Sequence, residues 1–183
     1  MKPFQPEGLW IDKGNFFAKL LHYKPDQGEK LYRKSLYTFI RRTSPHPAMV
    51  AFDAPNRDVC QVRRERTNTP LQALVLMNDP QFVEAARVFA ERIQKEAGAD
   101  PVDQIRFAFR VVTSRFPNPT EINILAELLG EEASRFNANP EAAQSLLETG
   151  SHPVDPELDR VKTASLAVLA NTLLNHDELY TKR

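Results

Sequence analysis

Six times in this chain a proline follows a residue able to cap a helix: Thr69-Pro70, Asp79-Pro80, Asp100-Pro101, Asn118-Pro119, Asn139-Pro140 and Asp155-Pro156. Proline is tolerated at the first position of a helix, where its missing N–H would have had no intrahelical partner. The side chain before it accepts a hydrogen bond from a free N–H of the first turn. Two of the starts extend to capping boxes, Thr69 with Gln72 and Asn118 with Glu121. The pattern predicts serial helices joined by short connections, and it turns six of the 14 prolines from breakers into starters.

Apolar spacing agrees. After Asp79, the residues Phe82, Val83, Ala86, Phe89, Ala90 and Ile93 recur at helical period, and Gly98 is a natural stop. Val102, Ile105, Ala108, Phe109 and Val112 line a second stripe, and Ile122, Leu125, Ala126 and Leu129 a third. Gly130 interrupts the third before Phe136, which leaves its continuation open. A short segment from Pro140 carries Leu146 and Leu147, and the last stripe runs from Leu158 through Val161, Ala164, Val168 and Leu169 to Leu173. The reading is a mainly α protein: a bundle of about six helices over residues 70–183, its helical part spanning 70–176.

The first third lacks this order. Residues 1–28 read as an irregular arm broken by Pro3, Pro6, Gly8, Gly14 and Pro25, packed through Leu9, Trp10, Phe16 and Phe17. Residues 29–43 suit either a strand, by residue type at Ser35–Ile40, or a helix, by the spacing of Tyr32, Leu36 and Phe39; the balance tips to a helix. Residues 44–69 read as a long arginine-rich loop, since Pro45, Pro47, Pro55 and Asn56 interrupt any long element.

Charge is balanced overall, 24 basic against 24 acidic residues, which argues against a general nucleic-acid-coating protein. Locally it is not. Residues 30–66 hold nine basic side chains against Asp53, Asp58 and Glu65, and residues 117–159 hold nine acids against Arg135. These are either solvated or mutually paired faces, or a basic anion-binding surface and an acidic partner surface. The 183 residues contain no apolar run long enough for a membrane span, and no membrane insertion is expected.

The densest stretch is 52–74. Arg57, Arg63, Arg64 and Arg66, with Asn68, precede the helix start at Pro70. Arginine forks and a helix N-terminus both favour anions. The same arginines would equally serve as structural pins on Asp53, Asp58, Glu65 or loop carbonyls, and the loop is expected to be ordered by such contacts. Cys60, the single cysteine, reads as a small buried side chain more readily than as a thiolate beside Arg63 and Arg64 or half of a disulfide with another domain. His22, His46, His152 and His176 show no metal-ligand spacing, and His46 between two prolines reads as a loop residue. Tyr32, Tyr37 and Phe39 among Arg33, Lys34, Arg41 and Arg42 have the composition of a nucleic-acid stacking platform, but their spacing favours a core role, and no nucleic-acid partner is expected. No catalytic constellation is legible.

The block Arg63-Arg-Glu-Arg-Thr-Asn-Thr-Pro-Leu-Gln-Ala-Leu74 resembles the family called domain of unknown function 1553, as do Gln5-Pro-Glu-Gly-Leu-Trp10 and Ala170-Asn-Thr-Leu-Leu-Asn-His-Asp-Glu178. The resemblance implies the C-terminal module of a large, exported, planctomycete-specific protein associated with cytochrome c. It implies other domains of that parent as partners, an extracytoplasmic location, and haem c elsewhere in the parent, with no cofactor in these residues. It carries over no catalytic residue. Two roles remain open: a structural or binding module, and part of an enzyme that clamps an anionic substrate or polymer with the arginine-rich loop.

Overall fold

A computed structural model describes residues 1–5, 24–40, 45–55, 59–63, 65 and 67–180. Among the described residues it has eight helices and no strand, and six of the helices have seven residues or more. They are α1 (Pro47–Ala51), α2 (Pro70–Asn78), α3 (Pro80–Glu96), α4 (Pro101–Thr113), α5 (Pro119–Ala138), α6 (Pro140–Leu147), α7 (Arg160–Leu174) and α8 (Asp177–Tyr180). Contacts divide the chain into two compact units, 1–75 and 76–183, with the boundary inside α2. No helix among the described residues is long and apolar enough to cross a membrane.

The caps hold as the sequence predicts at five of six starts. Thr69 and Gln72 exchange both bonds of a capping box, at 3.1 and 3.3 Å. Asp79 accepts from Gln81 N, Asp100 from Asp103 N and Asn139 from Ala142 N. Asn118 and Glu121 form the second box, at 2.7 and 2.8 Å. The sixth start is displaced. Asp155 caps only a turn, accepting from Glu157 N, while its other oxygen pairs with Lys95. Helix α7 begins at Arg160 under Asp159, which accepts from Lys162 N at 2.7 Å. Leu158 therefore lies outside it.

In the second unit, α7 is the central element. Thr163 to Ala167, Leu169, Ala170 and Leu173 are all buried, and α7 packs against α3, α4, α5 and α6. Ile93 of α3, Ile105 and Phe109 of α4, and Leu125 of α5 meet Leu166, Leu169 and Leu173 in one cluster. Phe136 of α5, with Ala143 and Leu147 of α6, closes on Ala164 in a second. Small residues along α7 allow close approach, and its hydroxyls are satisfied by its own backbone: Thr163 Oγ1 donates to Asp159 O and Ser165 Oγ to Val161 O. Polar residues thus sit in this core without an unmet hydrogen bond at their hydroxyls.

Helix α5 runs straight through Gly130. A mid-helix glycine costs about 1 kcal/mol relative to alanine. Burial of Phe136, 2% exposed, lies beyond it and offsets that cost.

The first unit departs most from expectation. Residues 28–37 form neither a strand nor an α-helix but two 3-10 turns, Gly28–Tyr32 and Ser35–Tyr37, separated by extended backbone at Arg33 and Lys34. No side chain caps either turn. The segment expected to be loop throughout, 44–69, contains α1, because Pro47 stands at the first helical position instead of breaking one. The arm residues Leu9, Trp10, Phe16 and Phe17 lie outside the described residues.

A methyl group added at Gly130 would meet nothing within 4 Å. Gly130→Ala should therefore stabilise the protein by about 0.5–1 kcal/mol. Urea denaturation checks it, and a loss of stability would show that α5 needs glycine's backbone there.

Candidate functional site

The polar segment entering α2 is organised by Gln72. This side chain is 1% exposed. Its Oε1 accepts from Thr69 N, and its Nε2 donates to Ala51 O at 2.9 Å, at the end of α1, and to Thr67 Oγ1 at 3.0 Å. Asp53, at a left-handed φ of 56°, accepts from Thr67 N at 2.7 Å and from Thr67 Oγ1 at 2.8 Å. The two ends of the segment are thus tied together by a carboxylate, a hydroxyl and an amide. The expected pins were arginines. Among the described residues, Arg63, Glu65 and Asn68 are exposed, and ties run through Asp53, Thr67 and Gln72. Arg57, Asp58, Arg64 and Arg66 lie outside the described residues.

Cys60 is a free, exposed thiol, not the buried one its composition suggested. His46 is 7% exposed at the start of α1, and the Gln5 amide nitrogen donates to its Nε2 at 2.7 Å. Tyr32, Tyr37 and Phe39, expected in a core, are 55%, 58% and 39% exposed. The 3-10 turns that carry Tyr32 and Tyr37 bury no residue, and Phe39 lies beyond the second, which is why helical spacing misled there. Among the described residues no group of three or more His, Cys, Asp or Glu side chains stands together as metal ligands.

The second unit holds two ionic nodes that the sequence did not disclose. On α3, Glu84, Arg87 and Glu91 are 7%, 0% and 6% exposed. Arg87 pairs with Glu91 at 2.6 Å and donates to His152 O at 2.7 Å and Pro153 O at 3.4 Å. Glu84 accepts from Ser151 N. Gly150, at φ 101°, lies against Glu84 so closely that a Cβ would overlap the carboxylate. One face of α3 therefore clamps the 150–153 connection between α6 and α7. The three charges share an arc of the helix that reads as solvent-facing, and nothing local marks a connection over sixty residues away as its cover.

The second node joins α4, α5 and α8. Arg115 forks onto Glu121 at 2.7 and 2.9 Å and onto Glu178 at 3.0 and 3.1 Å. Its guanidinium lies 4.6 Å from the centre of the Phe109 ring, which His176 meets edge-on at 6.3 Å. The Arg115 hydrogen bonds and the Asn118 N–H hold the Glu121 carboxyl down at about 2, from an ordinary 4.5. Arg115 likewise lowers Glu178. Several of the acids between 117 and 159 are thus used locally: Glu121 here, Glu132 with Arg135, Asp155 with Lys95, and Asp159 as a cap.

Two outcomes follow from these nodes. Arg87→Met strands Glu91 and two carbonyls, and should cost about 3–5 kcal/mol. Adding Glu91→Met should return part of that loss, and a single-variant cost under about 1 kcal/mol in urea would show that the clamp is dispensable. For Glu121 the folded pKa lies below the unfolded one, so its contribution is complete above 4.5 and lost as pH falls from 4.5 toward about 2. The melting temperature should fall across that window, and Glu121→Gln should flatten the fall.

A family model for PSD1, a protein of unknown function (DUF1553), matches residues 1–129. No curated protein and no solved structure matches the chain. The matched stretch includes the capped starts of α2 to α5 and the Asp53–Thr67–Gln72 tie. The chain belongs to the DUF1553 family.

Proposed function

We propose that the chain acts by binding rather than by catalysis, as the C-terminal module of a large exported bacterial protein associated with cytochrome c. In this reading the haem c belongs to another domain of the parent. The helical second unit is a scaffold, and Val59, Val62, Leu71 and Leu74 belong to a contact surface toward the parent's other domains. The observation that carries the reading is apolar exposure: Val59, Val62, Leu71 and Leu74 are 65%, 107%, 58% and 55% exposed. Leu71 and Leu74, three residues apart on α2, project on neighbouring positions of one side. Grouped apolar exposure is characteristic of a surface that is covered in its working state.

Cys60 stands within this stretch and reports on it directly. Its alkylation should be fast in the isolated chain and about tenfold slower or more in the parent protein, read by peptide mass spectrometry. Equal rates would defeat the reading. The alternative is an anionic-substrate clamp in an extracytoplasmic enzyme, and the exposure of Arg63 favours it. Under that alternative, added sulfate raises the melting temperature of the wild type but not of Arg63→Gln.

A further inference from the structure

We propose that the loop from Asp26 to Phe39 docks the protein on an anionic lipid surface, with Leu36 and Tyr37 entering the headgroup layer and Lys30, Arg33 and Lys34 neutralising the lipid charge. The loop is built for presentation. Its two ends are fastened to adjacent residues: Phe39 N donates to Met1 O at 2.7 Å, and Asp26 N donates to Lys2 O at 2.9 Å. Lys2 N returns a bond to Asp26 Oδ2 at 2.8 Å, and the Lys2 ammonium lies 5.8 Å from the centre of the Phe39 ring. A surface loop closed at its neck in this way is compact and often functional.

Between the fastened ends, order comes from short turns, with Tyr37 N donating to Lys34 O and Thr38 N to Ser35 O. Neither 3-10 turn buries a residue. The tip instead offers Leu36 at 74% exposure, with Tyr37 at 58% and Tyr32 at 55%. Around it Lys24, Lys30, Arg33 and Lys34 are exposed, against Glu29 as the one exposed acid of residues 24–40.

The composition selects among partners. Protein interfaces are depleted in lysine, whereas lysine and arginine stems lie along the acyl boundary while their charges reach the headgroups. Tyrosine favours the same boundary, apolar at one end and wet at the other. A single-stranded nucleic acid would stack on Tyr32 and Tyr37 but leave Leu36, the most exposed of the three, without a use, whereas a lipid surface uses it. An apolar tip with a basic collar fits an interfacial anchor that lies on the membrane without crossing it.

The inference is independent of the contact surface at Leu71 and Leu74. The test is flotation of the full chain with vesicles of phosphatidylcholine and phosphatidylglycerol in equal parts, and with phosphatidylcholine alone. The protein should float with the mixed vesicles only. Leu36→Asp should weaken binding about tenfold or more, and Lys30→Gln, Arg33→Gln and Lys34→Gln roughly fivefold each. All four positions are exposed, so the circular dichroism should not change. Leu71→Asp should bind vesicles like the wild type. No flotation with the mixed vesicles, or full binding by Leu36→Asp, would overturn the proposal. So would a single-stranded oligonucleotide bound as tightly as the mixed vesicles and lost in Leu36→Asp, which would make the loop a polymer site.

Discussion

The second unit depends on a guanidinium with no access to water. Arg87 is 0% exposed and is held by Glu91 and by two carbonyls of the α6–α7 connection. A buried charge is tolerable only when its partners are in place, so the connection must lie where it does for α3 to be buried at all. That in turn sets where α7 begins. Asp155, just beyond the clamped residues, is engaged with Lys95 and with a turn, and the helix waits for Asp159. Glu84 and Gly150 add a steric condition at the same place. The clamp sets geometry as well as stability, because without Arg87 both Glu91 and two carbonyls of the connection lose their partner.

The helices were legible because their start signals are local. A capping side chain and a proline act within one turn, and the structure keeps them at α2 to α6, with a glutamine or glutamate completing the box at α2 and α5. Gly130 was an ambiguous signal for the converse reason: the local cost is real, but Phe136 decides the outcome through contacts with α6 and α7. Arg87 escaped the sequence altogether. Its partners His152 and Pro153 are far along the chain, and a charged stripe looks the same whether water or another segment covers it.

The candidate site in the first unit was half legible. The sequence marked the stretch before α2 as unusual, and Asp53 does take part in ordering it. Among the described residues the order comes from the Asp53–Thr67–Gln72 tie, in which a residue read as half of a capping box also reaches the end of α1. An amide can do this because it both donates and accepts, whereas a guanidinium only donates. Arg63, Val59, Val62 and Leu71 are exposed in the same stretch.

The place of α7 in the chain has a consequence for synthesis. It is the helix on which α3, α4, α5 and α6 all pack, yet it is the last of them to be made. While a ribosome is still producing residues 80–147, those four helices can form their turns and caps and meet their neighbours in part, but they lack the helix that all of them share. Their inner faces, with Ile93, Ile105, Phe109 and Phe136, stay open until residues 160–174 emerge. Non-local closure of this kind is slow, and it leaves apolar surface accessible to chaperones in the interval. The side-chain caps suit that order of events, because each biases its segment toward helix before the central one arrives.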